Sequence, residues 1–323
     1  MVSLDAIKKP IKSELKEFEL FFKNSMKSKV PLLDRITYYI VKSKGKQMRP
    51  VFVFLASKMT GSISSSSYIA ASFIELVHTA SLVHDDVVDE SSQRRGFFSI
   101  NALWKNKIAV LVGDYLLSKG MLLALEKEEF RLLKIMSQAV KNLSEGELLQ
   151  LEKARKLDID ESIYFNIIRQ KTAALISAAC SAGVAAVTDD EELIRTMSDF
   201  GTKIGIAFQL KDDLLDYGTD NIGKPRAIDI KEKKMTLPII YTLQNCNRST
   251  KRRIISTIKN HSNDKKRVSE LIQTVHSAGG IDYATLKMDE YKNQALKQLE
   301  KFPHSEAKSS MIDLVEFVIQ RKK

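Results

Sequence analysis

The sequence predicts an all-α protein, a single-domain bundle of ten or more helices. Three observations carry that reading. Apolar residues recur at spacings of three and four along almost the whole chain. No alternation of strand-like and helix-like segments is found. Only 6 prolines and 13 glycines occur among 323 residues, too few for a turn-rich β architecture.

Short polar breaks divide the periodic segments, at 61–67, 91–99, 158–162, 188–192, 245–250, 260–264 and 277–280. Residues 1–29 read as an N-terminal helical extension. The run 73–85 reads as a helix whose C-terminal end presents acidic residues. Asp160 or Ser162 suits the N-cap of the helix holding Ile163, Ile167 and Ile168, and Thr188 with Glu191 spells a capping box before Leu193, Ile194 and Met197. The run 173–179 is apolar on nearly every side, as expected of a helix at the centre of a bundle. The one long stretch read as non-helical is 217–238. It carries Gly218, Gly223, Pro225 and Pro238 among Lys224, Arg226, Lys231, Lys233 and Lys234. A loop of that length in a compact bundle is usually functional, and basic residues there suit a lid over phosphates.

Composition narrows the class. The chain is 44% hydrophobic and 28% charged, enough for a large core. Cys180 and Cys246 are the only cysteines, which leaves no disulfide framework or structural zinc site. The N-terminus lacks a signal-peptide apolar segment, and the longest weakly polar stretch, 173–187, is too short to span a membrane. A soluble, cytoplasmic protein is expected. The net charge of +11, from 51 basic and 40 acidic residues, comes without an aromatic-interleaved basic patch or finger spacing, so no nucleic acid is expected as partner. Much of the excess lies in 251–253, 265–267 and 321–323, read as solvated helix faces. Anionic substrates remain.

Two acidic clusters point to the chemistry. Asp85-Asp86-Val87-Val88-Asp89 and Asp212-Asp213-Leu214-Leu215-Asp216 are both DDxxD and both interrupt apolar runs. In a helix the first and last Asp of each share a face. Such carboxylates repel by roughly 4 kcal/mol per close pair at an effective dielectric near 20. A hard divalent cation relieves that repulsion, and two clusters suggest a polyphosphate between them. Arg94 and Arg95 follow the first cluster and the basic loop follows the second. Asp86 and Asp213 point off the paired faces and either support the metal ligands or serve as hydrogen-bonded structure. His84 reads as a flank of the metal site, and Asp114 as a structural helix residue.

These motifs together resemble the polyprenyl (trans-isoprenyl) diphosphate synthase family from about residue 30 to the C-terminus. The two aspartate-rich motifs match 85–89 and 212–216. The Gly-Lys-Arg-x-Arg-Pro signature stands here as Gly45-Lys46-Gln47-Met48-Arg49-Pro50, the Lys-Thr pair as Lys171-Thr172, the glutamine as Gln209, and the Gly-Lys-Pro lid as Gly223-Lys224-Pro225. The resemblance implies an isoprenoid-synthase bundle with a central cavity, usually homodimeric. It implies three Mg²⁺, held by Asp85, Asp89 and Asp212 with Asp216. Arg94, Lys171 and Lys224 would contact the allylic diphosphate, and Lys46, Arg49, His78 and Arg95 the diphosphate of isopentenyl diphosphate. Thr172 and Gln209 would face the reacting carbons. Gln47 in place of Arg removes one cation, and Ala227 in place of Gly leaves the lid's flexibility open.

The helix before Asp85 bears on product length. Short-chain members floor the chain pocket with aromatic residues four and five positions before the first Asp; here those positions are Ser81 and Ala80. A tunnel past Ala80, Ser81 and Val77 to Phe73 would be roughly 18 Å deep at about 1.5 Å per residue. The expected product is C30 to C50, with C40 (octaprenyl) as the point value, destined for quinone side chains. The alternatives are a geranylgeranyl- or farnesyl-type enzyme floored from another helix, by Met121 or Leu122, and a non-catalytic subunit of a heteromeric synthase. A terpene cyclase would carry Asn, Ser/Thr and Glu in its second metal motif. Peripheral membrane contact for product release is left open.

Overall fold

The computed structural model describes residues 2–43, 45–94, 96–157, 159–218 and 228–320. Among them the chain forms α1 (Leu4–Lys8), α2 (Lys12–Ser25), α3 (Pro31–Lys42), α4 (Met48–Thr60) and α5 (Ser65–Val88). A two-stranded hairpin follows, β1 (Gln93–Arg94) with β2 (Phe97–Phe98). Then come α6 (Ile100–Leu125), α7 (Phe130–Lys156), α8 (Glu161–Ile168), α9 (Ala174–Ala185) and α10 (Glu191–Leu215). The C-terminal part holds α11 (Ile228–Lys231), α12 (Leu237–Asn245), α13 (Arg248–Asn260), α14 (Lys265–Ser277), α15 (Gly280–Leu299) and α16 (Glu306–Gln320). The all-α reading holds, and each predicted break falls at a helix end or between two helices.

The centre of the bundle is α9, packed against α4, α5, α7 and α10. Residues 175–184 are all buried, as its all-round apolar sequence requires. Small residues let the neighbours approach closely. A Cβ added at Gly201 or Gly205 of α10 would lie 2.6 Å from the Cα of Ser177 or 2.5 Å from that of Ala173. Between Ile168 and α9 the chain widens into a π-turn, Arg169–Ala173, a distortion found mostly at functional sites.

Two local expectations change. The cap of α10 is Asp190, whose carboxylate accepts from the N–H of Glu192 at 2.9 Å and Leu193 at 3.1 Å. Thr188 instead braces that cap, its hydroxyl accepting from the Asp190 N–H at 3.2 Å. A carboxylate nearer the first turn displaces a hydroxyl two residues further out. Asp160 caps α8 as expected, accepting from Ile163 at 2.8 Å.

The stretch 217–238 is not wholly irregular: α11 lies inside it and Leu237 already belongs to α12. The two carboxylate oxygens of Asp216 accept from the Ile228 and Asp229 N–H groups, each at 3.1 Å, so a side chain from α10 caps α11. Residues 219–227, with Gly223, Lys224, Pro225 and Ala227, lie outside the described residues, as do Arg95 and 321–323.

The most apolar long helix is not at 173–187. It is α6, the one described helix long and apolar enough to cross a membrane. Only a third of its most apolar window is buried. On one side Gly113 and Gly120 take the His84 and Phe73 rings of α5. On the other, Leu103, Val110, Leu111, Met121, Leu122 and Leu125 are exposed.

Candidate active site

Both acidic clusters terminate helices. Asp85 lies in the last turn of α5 and Asp89 is its C-cap; Asp212 lies in the last turn of α10 and Asp216 is its C-cap. The C-terminal end of a helix carries partial negative charge, so carboxylates there are disfavoured by about 0.3–1 kcal/mol each. Burial adds to this. The Asp85 carboxyl is pushed up to about 6 chiefly by desolvation; Lys171 opposes the rise, and Glu147 and Asp89 reinforce it. Two negatively charged helix ends with buried acids make a site built for cations.

Fixed cations reach the clusters from other elements. The π-turn carries Lys171, whose ammonium lies 2.5 Å from the Glu147 carboxylate of α7 and acts electrostatically on Asp85. Gly146 allows this approach, since a Cβ there would come within 2.8 Å of the Lys171 backbone nitrogen. After α11, Lys234 lies 2.5 Å from Glu232 and 3.9 Å from Asp229, and its charge is felt by Asp89. The β hairpin presents Arg94, whose Nε donates to Asp86 Oδ1 at 2.8 Å, leaving its two terminal nitrogens for an anion.

Asp86 is thereby assigned to structural support. Its carboxylate holds Arg94, and its backbone carbonyl accepts from Asn101 Nδ2 at 3.1 Å and from the Ser91 N–H at 2.9 Å. His84 turns away to α6, with Nε2 3.2 Å from the Val110 carbonyl oxygen and 3.5 Å from Asp114.

Lys171, Thr172 and Gln209 line one cavity of about 210 Å³ with Tyr164, Asp213, Asp229 and Lys234. Inside it a chain of hydrogen bonds runs between helices. Thr172 Oγ1 donates to Gln209 Oε1 at 2.7 Å, Gln209 Nε2 donates to Asp213 Oδ1 at 2.8 Å, and Tyr164 Oη donates to Asp213 Oδ2 at 2.6 Å. Asp213 is pushed up to about 7, mainly by burial, with Asp229 adding to the rise while Tyr164 and Gln209 oppose it.

A second cavity, about 80 Å³, brings His78, Arg94, Asp86 and Gln47 together. Arg49 is the second residue of α4. Lys46, just before, lies with its ammonium 5.7 Å over the Phe317 ring of α16. Gln47 itself takes a left-handed backbone, φ 50°, uncommon for a residue with a side chain. It marks the sharp turn that carries Lys46 and Arg49 into α4.

A family profile described as polyprenyl synthetase matches residues 30–275. The chain belongs to the polyprenyl synthetase family. It is 33% identical to the octaprenyl diphosphate synthase of Haemophilus influenzae, over 99% of this chain and 98% of that one. Among solved structures it superposes on a decaprenyl diphosphate synthase from Rhodobacter capsulatus with TM-score 0.92 and 32% identity, over 99% of each chain. It also superposes on a polyprenyl synthase from Caulobacter crescentus with TM-score 0.90 and 28% identity, over 99% of this chain and 98% of that one. That Caulobacter structure is a complex with calcium and isoprenyl diphosphate.

The residues of this polyprenyl synthetase suit a divalent cation. Magnesium is commonly held by one or two carboxylates plus phosphate oxygens and water. Asp85, Asp89 and Asp212 stand at the two helix ends. Asp216, expected as a further ligand, also accepts from two backbone N–H groups of α11.

The residues of the expected tunnel are packed side chains. Ala80 is fully buried, Val77 is 2% exposed and Phe73 1%, and they share a stripe with His84 that faces α6. A Cβ at Gly120 would meet the Phe73 ring at 2.5 Å, and one at Gly113 the His84 ring at 2.1 Å. That stripe is therefore a closed α5–α6 seam. Ser81 is half-buried, and its hydroxyl is turned back to the His78 carbonyl at 2.9 Å. Met121 and Leu122, the floor of the short-chain alternative, are 44% and 48% exposed on the outer face.

Sequence reasoning missed Tyr164 and Glu147. Lys234, in the basic loop read as a lid over phosphates, carried a signal. Tyr164 and Glu147 carried none, because their partners lie 49 and 24 residues away.

Proposed function

We propose that the chain is a magnesium-dependent trans-prenyltransferase that adds isopentenyl diphosphate repeatedly to an allylic diphosphate. The product read for it is a long all-trans polyprenyl diphosphate, C30–C50 with C40 as the point value. The observation that carries the reaction is the convergence of two carboxylate-bearing helix C-termini, bridged by Lys171 and Lys234, on the Thr172–Gln209 pair.

When bound, magnesium, three ions per site in this reading, neutralises the leaving diphosphate of the allylic substrate. Asp85, Asp89 and Asp212 hold that assembly, and Lys171, Arg94, Lys234 and, from the family pattern, Lys224 add fixed positive charge around the same diphosphate. The Thr172 and Gln209 oxygens turn the negative ends of their dipoles to the developing allylic cation. His78, Lys46, Arg49 and Arg95 hold the second diphosphate without metal, so that isopentenyl diphosphate stays intact while its double bond attacks. The departed diphosphate takes the final proton.

Length control is read from the small residues Ala80 and Ser81, with Phe73 as the first bulky side chain on their stripe. Because that seam is closed, the growing chain must part α5 from α6. A homodimer through α6 fits its exposed apolar row, and the same row accounts for a helix of membrane-like composition in a protein read as soluble and cytoplasmic.

The test is incubation of the full chain with farnesyl diphosphate, labelled isopentenyl diphosphate and Mg²⁺, with products sized by reversed-phase chromatography. Products of C30 or longer support the reading. Arrest at C15 or C20 removes the length assignment, and no Mg²⁺-dependent incorporation removes the activity.

A further inference from the structure

We infer that Tyr164 is a positioning residue for the condensation: through Asp213 it fixes which end of the Gln209 amide faces Thr172. This deepens the prenyltransferase reading and rests on it.

The argument is one of donor and acceptor types. Asp213 is 5% exposed, and each of its two carboxyl oxygens faces one donor from a different helix position. One oxygen accepts from Tyr164 Oη at 2.6 Å and the other from Gln209 Nε2 at 2.8 Å. Gln209 is thus obliged to turn its NH₂ to Asp213 and its carbonyl to Thr172. That carbonyl accepts from Thr172 Oγ1 at 2.7 Å, so the Thr172 proton points at Gln209 and not into the cavity. The Thr172 lone pairs are left for the reacting carbons. With the amide reversed, the Thr172 hydroxyl would accept from nitrogen and aim its proton at a carbocation, the wrong sign of dipole.

Tyr164 makes the arrangement rigid. It sits on α8, is 4% exposed, and T-stacks on Phe165 with ring centroids 5.4 Å apart. Asp213 belongs to α10 and Thr172 to the π-turn, so three separately packed elements hold one amide. Without Tyr164 one buried oxygen of Asp213 loses its donor. The carboxylate then turns to find another, and the Gln209 amide loses its reference.

The experiment is a double-mutant cycle on the full chain with farnesyl diphosphate, isopentenyl diphosphate and Mg²⁺, using Tyr164→Phe, Thr172→Ala and the pair. Tyr164→Phe should lower kcat about tenfold with KM for both diphosphates within about twofold of wild type, a loss confined to the transition state. In the Thr172→Ala background the same change should cost less than about twofold, because the group it positions is gone. A merely structural Tyr164 would cost the same in both backgrounds, and that outcome overturns the inference. So does unchanged kcat, or a loss that appears in KM alone. If Tyr164→Phe does not fold, as judged by its melting curve, Asp213→Asn replaces it in the cycle with the same expected non-additivity, because an Asn amide no longer dictates the Gln209 orientation. Absence of wild-type activity would sink the prenyltransferase reading and the relay with it, whereas an active enzyme with additive losses sinks the relay alone.

Discussion

The ammonium of Lys171 lies 2.5 Å from the carboxylate of Glu147, and both act on Asp85 from opposite directions. Lys171 draws the Asp85 carboxyl down while Glu147, behind the larger effect of burial, pushes it up. Replacing Lys171 with Met should therefore do two things at once. It should lower kcat by about 10²–10³, the cost of one lost electrostatic contact to a transition state. It should also move the acidic limb of the pH–rate profile upward, whereas Glu147→Gln should move it downward. Rate profiles between pH 5 and 8 check both signs.

The same carboxyl predicts how metal and pH interact. Asp85 stands at about 6 against an ordinary 3.8, so the folded, metal-free protein holds a proton that the unfolded chain gives up near pH 4. The fold accordingly loses stability as pH rises from about 4 through about 6. Asp229, pushed up to about 6 chiefly by burial with Asp216 adding to it, contributes in the same direction and window. Magnesium with inorganic diphosphate should reverse this by binding the ionised form. The rise in melting temperature on adding both should be large at pH 7.5 and should shrink as pH falls below about 6. A rise independent of pH would count against the cluster as the cation site.

The α5–α6 seam yields a length prediction. Gly120→Ala places a methyl where the Phe73 ring now lies, at 2.5 Å, and should shift the product distribution toward shorter chains. Phe73→Ala should lengthen it, at a stability cost of about 3–5 kcal/mol. Ala80→Phe and Ser81→Phe should both shorten the product. Sizing products of all four variants tests the seam, and unchanged lengths throughout would remove it as the ruler.

The exposed row on α6 carries the assembly prediction. Leu111 is 56% and Leu122 48% exposed, with Met121 and Leu125 nearby on the same helix. Leu111→Lys with Leu122→Lys should convert the proposed dimer to monomer in sedimentation velocity. A wild-type protein already monomeric at micromolar concentration contradicts the dimer reading.

Much of this was legible from the chain. The 3.6-residue period fixes helices wherever one face is apolar, and an all-round apolar run such as 173–179 has only the centre of a bundle to occupy. The DDxxD clusters announced themselves because charge in an apolar run needs a partner. What stayed hidden depends on side chains meeting from distant helices. Nothing local marks Tyr164 as the donor to Asp213, or Gly120 as the notch for Phe73. Asp216 shows a further limit: nothing in its spacing announced that its carboxylate would accept from two backbone N–H groups of α11. Thr188 lost the α10 cap to Asp190 because two acceptors compete and the nearer carboxylate wins.

The most direct test of the account is Mg²⁺-dependent incorporation of isopentenyl diphosphate by wild type, Asp85→Asn and Asp212→Asn at saturating substrates. Two helix ends acting as one cation site predict a loss of about 10³ or more in each variant, with folding intact by circular dichroism. Near wild-type rates in either would contradict it.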